Sequence, residues 1–187
     1  MQNRIISVII CCLFCAGIFA QKKDIATARE YVKKGNNLDK AEQMMLTLLK
    51  DSDQRANVKV WDVLFEAVRK QYEQGNEKLY LKQKYDTAAL FNTASRMFVY
   101  MERYDSIESQ PDAYGKVKLA YRKDHASLLN TLRPNLFNGG LYYIQKQKFA
   151  DAYRFFNQYI DTSIQPLFTG YNYSEHDKRM PEAAYWA

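Results

Sequence analysis

Between Leu136 and Ile160 apolar residues return with a helical period. Leu136, Gly140 and Tyr143 fall at i, i+4 and i+7 and share one helix face. Phe149, Ala152, Phe156 and then Tyr159 or Ile160 repeat the spacing, and the polar stretch from Gln145 to Lys148 is long enough for a helix-to-helix turn. The pattern predicts an antiparallel helical hairpin. Gly139 and Gly140 lie inside its first helix, where each costs roughly 1 kcal/mol against Ala. A close crossing is expected to offset that cost, with a glycine on one helix facing Ala152 on the other and Tyr143, Phe149 and Phe156 filling the flanks.

The same period runs through most of the chain, and nowhere does period-two alternation last long enough to predict a sheet. Ile25, Arg29 and Val32, then Leu38, Ala41, Met45, Leu48 and Leu49, predict a second hairpin around a turn at Gly35, Asn36 and Asn37. Trp61, Leu64, Phe65, Val68 and Tyr72 mark one face of a helix over 58–72. Its partner carries Tyr85, Ala88, Phe91, Phe98, Met101 and Tyr104 and is unusually long, from Asp86 to about Ser106. Residues 73–84 between them read as an insertion, either a helical turn or an extension of the flanking helices. Gln110, Pro111 and Asp112 break the chain before a further helix from about Tyr114 to Leu132, which ends ahead of Pro134. Residues 162–178 read as a loop, and Pro181 suits the first turn of a last helix that opens at Met180. Such a helix with Trp186 still to bury predicts a fragment, or a longer natural protein in which the array continues.

The hairpin at 136–160 resembles the tetratricopeptide repeat, a helix-turn-helix unit of about 34 residues that stacks into solenoids. Leu136, Gly140, Tyr143, Phe149, Ala152, Phe156 and Ile160 fill the places of that motif. Gln147 stands where the family has its turn glycine, and Ile164 where it has its proline. The resemblance implies an all-α fold of helical-hairpin repeats forming a right-handed superhelix. Residues 25–52 are repeat-like, with Arg29 where the family prefers a small residue. Residues 58–107 form a degenerate, extended repeat whose second helix arrives about eleven residues late. A linking helix spans 114–132, the best repeat 133–164, and a further helix starts over 180–187.

Residues 1–20 carry a different signal. Arg4 precedes an apolar run from Ile5 to Phe19, and small residues close it at Ala16, Gly17 and Ala20, the pattern of a secretory signal peptide. The run is shorter than the roughly 20 residues that span a bilayer. All three cysteines, Cys11, Cys12 and Cys15, lie within it. A chain cut after Ala20 therefore has no disulfide, no thiol nucleophile and no cysteine metal site. The residues preceding the cysteines, Ile10, Cys11 and Phe14, do not suit lipid attachment, which favours a small residue there. Export into the periplasm or cell envelope of a Gram-negative bacterium is the expectation.

Net charge is +6, and since Arg4 is the one charged residue in the first twenty, a processed chain carries one positive charge fewer, +5. Acids and bases are interleaved along the chain, so the charge does not point to nucleic acid. Two histidines, His125 and His176, leave little for a metal site, and no cofactor motif is present. Ser174, Glu175, His176 and Asp177 line up hydroxyl, carboxylate and imidazole, but neighbours in a loop do not converge as a triad must. Asn172 to Ser174 is an N-glycosylation triplet. Asp86 to Ala88 and Asp105 to Ile107 resemble O-glycosylation acceptors, the first reading equally as a helix N-cap. Lys118, Arg122 and His125 at i, i+4 and i+7 make a weak anion-binding strip.

No enzyme is expected; what remains is surface. In the family that the hairpin resembles, first helices line a concave groove for a peptide or partner helix. The resemblance places Phe137, Leu141, Ile144 and Gln145 in that groove, Glu30, Lys33 and Lys34 at the first repeat, and Asp62, Glu66, Arg69 and Lys70 on the Trp61 helix. Burial of Phe137, Leu141 and Ile144 against the preceding helix is the competing reading. Leu141 stands where the family's carboxylate clamp needs Asn, so that clamp is not expected. The sequence thus reads as an exported, non-catalytic scaffold for a protein or peptide partner. The alternative is a cell-envelope module that holds glycan or anionic lipid through Tyr, Lys and Arg.

Overall fold

The computed structural model describes residues 21–187, and the leader expected over 1–20 lies outside them. The described residues are helical with no strand, an all-α fold. They divide into two compact units, one ending at Lys70 and the other spanning Gln71–Ala187.

The first unit opens with α1 (21–34) and α2 (Leu38–Leu48), joined through Gly35 and Asn37 in left-handed conformation, as that turn predicts. Ile25, Ala28 and Val32 are buried on α1, and Leu38, Ala41, Met45 and Leu48 on α2. Ala28 takes the inward position expected of Arg29, which is exposed. The two lie one residue apart, and the shorter side chain enters the core while the charge stays in water. A short α3 (Ser52–Arg55), capped by the Asp51 carboxylate, leads into α4 (Val58–Tyr80). Val60, Trp61, Val63, Leu64, Phe65, Ala67 and Val68 bury one flank of α4, and the Trp61 indole N–H donates to the Arg55 carbonyl at 2.7 Å.

The expected insertion at 73–84 is mostly helix, because α4 runs on to Tyr80. It stops at Lys82, whose φ of 56° closes the end while the Gln83 N–H donates to the Lys78 carbonyl. Gly75 makes room for the returning chain: a Cβ there would lie 2.6 Å from the Tyr85 ring, which therefore approaches the helix backbone closely.

In the second unit α5 (Thr87–Glu108) is the long helix, N-capped by Asp86, whose carboxylate accepts from the Ala88 N–H at 2.9 Å. The helix expected to begin near Tyr114 starts at Arg122 instead. The Asp112 carboxylate accepts from the N–H groups of Tyr114 and Lys116, and Gly115 has φ +74°, so this turn takes the hydrogen bonds that a helix would need. From there α6 (Arg122–Leu132) meets α7 (Pro134–Gln145) at Arg133, whose dihedrals stay helical, and Pro134 begins α7 where an N–H is dispensable.

The hairpin of α7 and α8 (Phe149–Asp161) forms as expected, turning at Gln147 with φ 57°. Its crossing differs in detail. A Cβ on Gly140 would lie 2.5 Å from the Phe156 ring, and one on Gly139 would lie 2.7 Å from Phe155. The two glycines are notches for aromatic rings rather than a meeting of small residues. Ala152 is buried as expected, but Phe149 is 63% exposed, and Phe155, not among the expected core positions, is buried at 0%. The stretch expected to be loop is ordered as a 3₁₀ helix (Pro166–Tyr171) and α9 (Tyr173–His176), which bury Leu167, Phe168 and Tyr173. Last comes α10 (Met180–Trp186), with Ala183 buried. Contacts within this unit run from α5 to α7, α7 to α8 and α8 to α10. Side-chain bonds from Ser95 to Gln158 (2.6 Å) and Arg154 to Asn92 (2.8 Å) add a direct tie between α5 and α8.

Candidate partner-binding surface

Glycine notches on one face of α7 leave the opposite face to water. Asn138 and Gln145 are exposed there, and Leu141 and Ile144 are half-buried. Phe137, expected in the groove, is 3% exposed. The rings of Phe156 and Tyr159 meet it edge-on, both at 5.5 Å, and the Arg179 guanidinium lies 5.2 Å over it. The chain's own later segment covers it, so Phe137 does not offer the open groove surface expected of it.

The same later segment builds a polar hub at the start of α7. Arg133 is 5% exposed, and its guanidinium lies between the rings of Tyr159 (3.7 Å) and Tyr173 (3.8 Å). Its Nε donates to Thr162 Oγ1 at 2.7 Å, Nη2 to the Tyr159 carbonyl at 3.2 Å, and Nη1 to the Asp177 carboxylate. The Tyr159 hydroxyl donates to the same carboxylate. Burial alone would raise the Asp177 pKa, but the hydrogen bonds from Tyr159, Arg133 and the Arg179 N–H hold it below the ordinary value. Burial, aided by that carboxylate, pushes the Tyr159 phenol up to about 12, so at neutral pH it is a donor. Beside the hub opens a cavity of about 540 Å³, lined by Arg133, Tyr159 and Asp177 of the hub together with Asn130, Asn138, Lys178 and Arg179.

The strip expected from Lys118, Arg122 and His125 does not form one helix face, since Lys118 precedes α6. Arg122 is engaged with the chain itself: Nε and Nη2 donate to the two Asp105 oxygens at 2.7 and 2.8 Å, and Nη2 also to Ser109 Oγ at 2.9 Å. His125 stacks on Tyr121 at 5.8 Å and meets Tyr104 at 5.9 Å. In the first unit, Glu66 and Arg69 form an ion pair at 2.7 Å, with Lys70 half-buried beside them. Burial raises the Asp62 pKa, the Glu66 charge adds to the rise, and Arg29 opposes it.

Arg133, Asn138, Tyr159, Asp177, Lys178 and Arg179 were not visible as a site in the sequence, because they come from four separate stretches. The one signal present was the Arg-Pro pair between two helices, which marks a joint. Among the described residues no group of three or more His, Cys, Asp or Glu is gathered to hold a metal, and no helix is long and apolar enough to cross a membrane. No known protein family, no curated protein and no solved structure matches the chain.

Proposed function

We propose that the chain is an exported, non-catalytic scaffold of tetratricopeptide-like hairpins forming a right-handed superhelix, which binds a protein partner along the exposed face of α7. The reading is supported by the order of contacts from α5 through α7 and α8 to α10, the neighbour-to-neighbour stacking of a solenoid. The single observation that carries the binding face is the asymmetry of α7. One side is locked by Phe155 and Phe156, while the other offers Leu141 and Ile144, half-buried, between polar Asn138 and Gln145. A mixed apolar and polar face of this kind suits a partner helix or extended peptide.

A Leu141→Glu/Ile144→Glu variant tests this face. Partner capture from a cell-envelope extract is expected to fall at least tenfold while helicity by circular dichroism is unchanged. Capture at the unaltered level refutes the assignment. Export is tested separately by sequencing the N-terminus of protein recovered from the periplasm, where Gln21 is expected first.

One feature favours the second reading, an anionic-lipid module. Tyr80 and Leu81 at the end of α4 are 85% and 54% exposed, with Lys78, Lys82 and Lys84 around them. A charge-driven surface of that kind weakens steeply with salt, whereas an apolar peptide face does not.

A further inference from the structure

The cavity beside the Arg133 hub holds a charge imbalance that the fold does not use. Among its lining residues Arg133 and Asp177 neutralise each other. Lys178 and Arg179 line the same cavity, both exposed and neither paired with a carboxylate among the described residues. The Arg179 guanidinium lies 5.2 Å over the Phe137 ring and makes no hydrogen bond to a carboxylate among the described residues, so its N–H groups can donate into the cavity. Asn130 Oδ1 accepts from the Tyr173 hydroxyl at 2.7 Å, so its NH₂ remains available. Asn138 adds a second amide from the exposed face of α7. The one carboxylate present, Asp177, is already satisfied by Arg133 and Tyr159 and is kept ionised by them. Two uncompensated cations and two amide donors therefore surround a space of about 540 Å³, a size that accommodates a small ligand or a few residues of peptide.

We propose that this cavity receives an acidic side chain of the protein partner, its carboxylate held by Lys178 and Arg179 with the amides of Asn130 and Asn138. The proposal rests on the partner-binding reading of α7. Asn138 is one turn from Leu141 on the same helix face, so a segment lying along α7 with an apolar residue on Leu141 and Ile144 presents its next residues, about 5 Å further on, to the cavity. A partner carboxylate is assigned because the cavity adjoins, through Asn138, the face carrying Leu141 and Ile144, so the group that reaches it belongs to a segment lying along α7, and the guanidinium and amides supply donors for its two oxygens.

The test uses two capped peptides, one carrying two leucines followed by two glutamates, the other with glutamines in place of the glutamates. Binding to the purified, isotope-labelled protein is followed by NMR at low salt. The glutamate peptide is expected to bind at least tenfold more tightly and to shift the side-chain amides of Asn130 and Asn138. Lys178→Gln and Arg179→Gln, both at exposed positions, are each expected to reduce that preference without changing the circular dichroism spectrum. Equal affinities, no binding by either peptide, or a preference that survives both substitutions overturns the proposal. So does inorganic phosphate displacing the glutamate peptide at a lower concentration than acetate does. None of these outcomes touches the Leu141→Glu/Ile144→Glu test, whose failure would remove the α7 reading itself.

Discussion

The two hairpins, α1–α2 and α7–α8, follow the same hydrophobic period and turn through residues with positive φ, but they are built on different chemistry. In α1–α2 the buried positions are small or aliphatic apart from Met45 and the carboxylate-bearing Glu42, with Ala28 and Ala41 at 0% exposure. In α7–α8 two glycines are notched by two phenylalanine rings, and a buried arginine ties the start of α7 to residues as distant as Asp177. Aliphatic packing tolerates substitution as long as volume is kept. Ring-in-notch packing and a buried ion pair do not. The second hairpin is therefore the specific one, and the surface it presents is fixed more sharply.

The largest effect is expected at the hub. Arg133→Met leaves Asp177 without its cation and should destabilise the second unit by about 3–5 kcal/mol, read as a shift in the urea midpoint. A loss under 1 kcal/mol would mean that the hub contributes little and that the contrast between the hairpins is overstated.

Next is a pH effect at α5. Burial and the nearby Asp161 charge raise Glu102 from 4.5 to about 7, and its Oε1 has no hydrogen-bond partner. The folded state then holds a proton that the unfolded state has released between pH 4.5 and 7, so stability falls as pH rises through that window. Glu102→Gln should equal the parent near pH 4 and exceed it at pH 8 by up to roughly 3 kcal/mol. Thermal melts at the two pH values check this, and a constant difference between them would refute the assignment.

Gly140→Ala sharpens the comparison directly. It gains roughly 1 kcal/mol of helix propensity yet forces the buried Phe156 ring to move, so a net loss of about 1–2 kcal/mol is expected. In α1 the opposite substitution, Ala28→Gly, should cost about 1 kcal/mol from propensity plus the lost methyl. Stabilisation by Gly140→Ala would show that the notch is loose. The smallest effect belongs to Phe149→Ser, within about 0.5 kcal/mol, since that ring is mostly in water.

The helices and the first hairpin turn were legible because a 3.6-residue period and Gly35 and Asn37, residues tolerant of positive φ, are local signals, while the second turn, at Gln147, showed only as the polar stretch Gln145 to Lys148. Which of two adjacent candidates points inward was less legible. Ala28 rather than Arg29 enters the core, because i+3 and i+4 spacing from Ile25 both satisfy the period and only tertiary contact decides; Phe149, at the first position of α8, stays in water while Phe155 and Phe156 further along are buried. The stretch 111–121 has the charge content of a surface helix, and a single Asp112 side chain diverts its backbone. The candidate site was legible only in part. The resemblance named Phe137, Leu141, Ile144 and Gln145 together, while the covering of Phe137 and the cavity next to it depend on Lys178 and Arg179, some forty residues away at the end of a stretch that reads as loop.

Photo-crosslinking in cells gives the most direct test of the α7 face. A benzophenone amino acid is placed at position 141, at 145 on the same face, or at 153 on the exposed side of α8. Discrete protein adducts from 141 and 145, and none from 153, are the predicted result. Adducts from 153 alone, or none from any of the three, would contradict it.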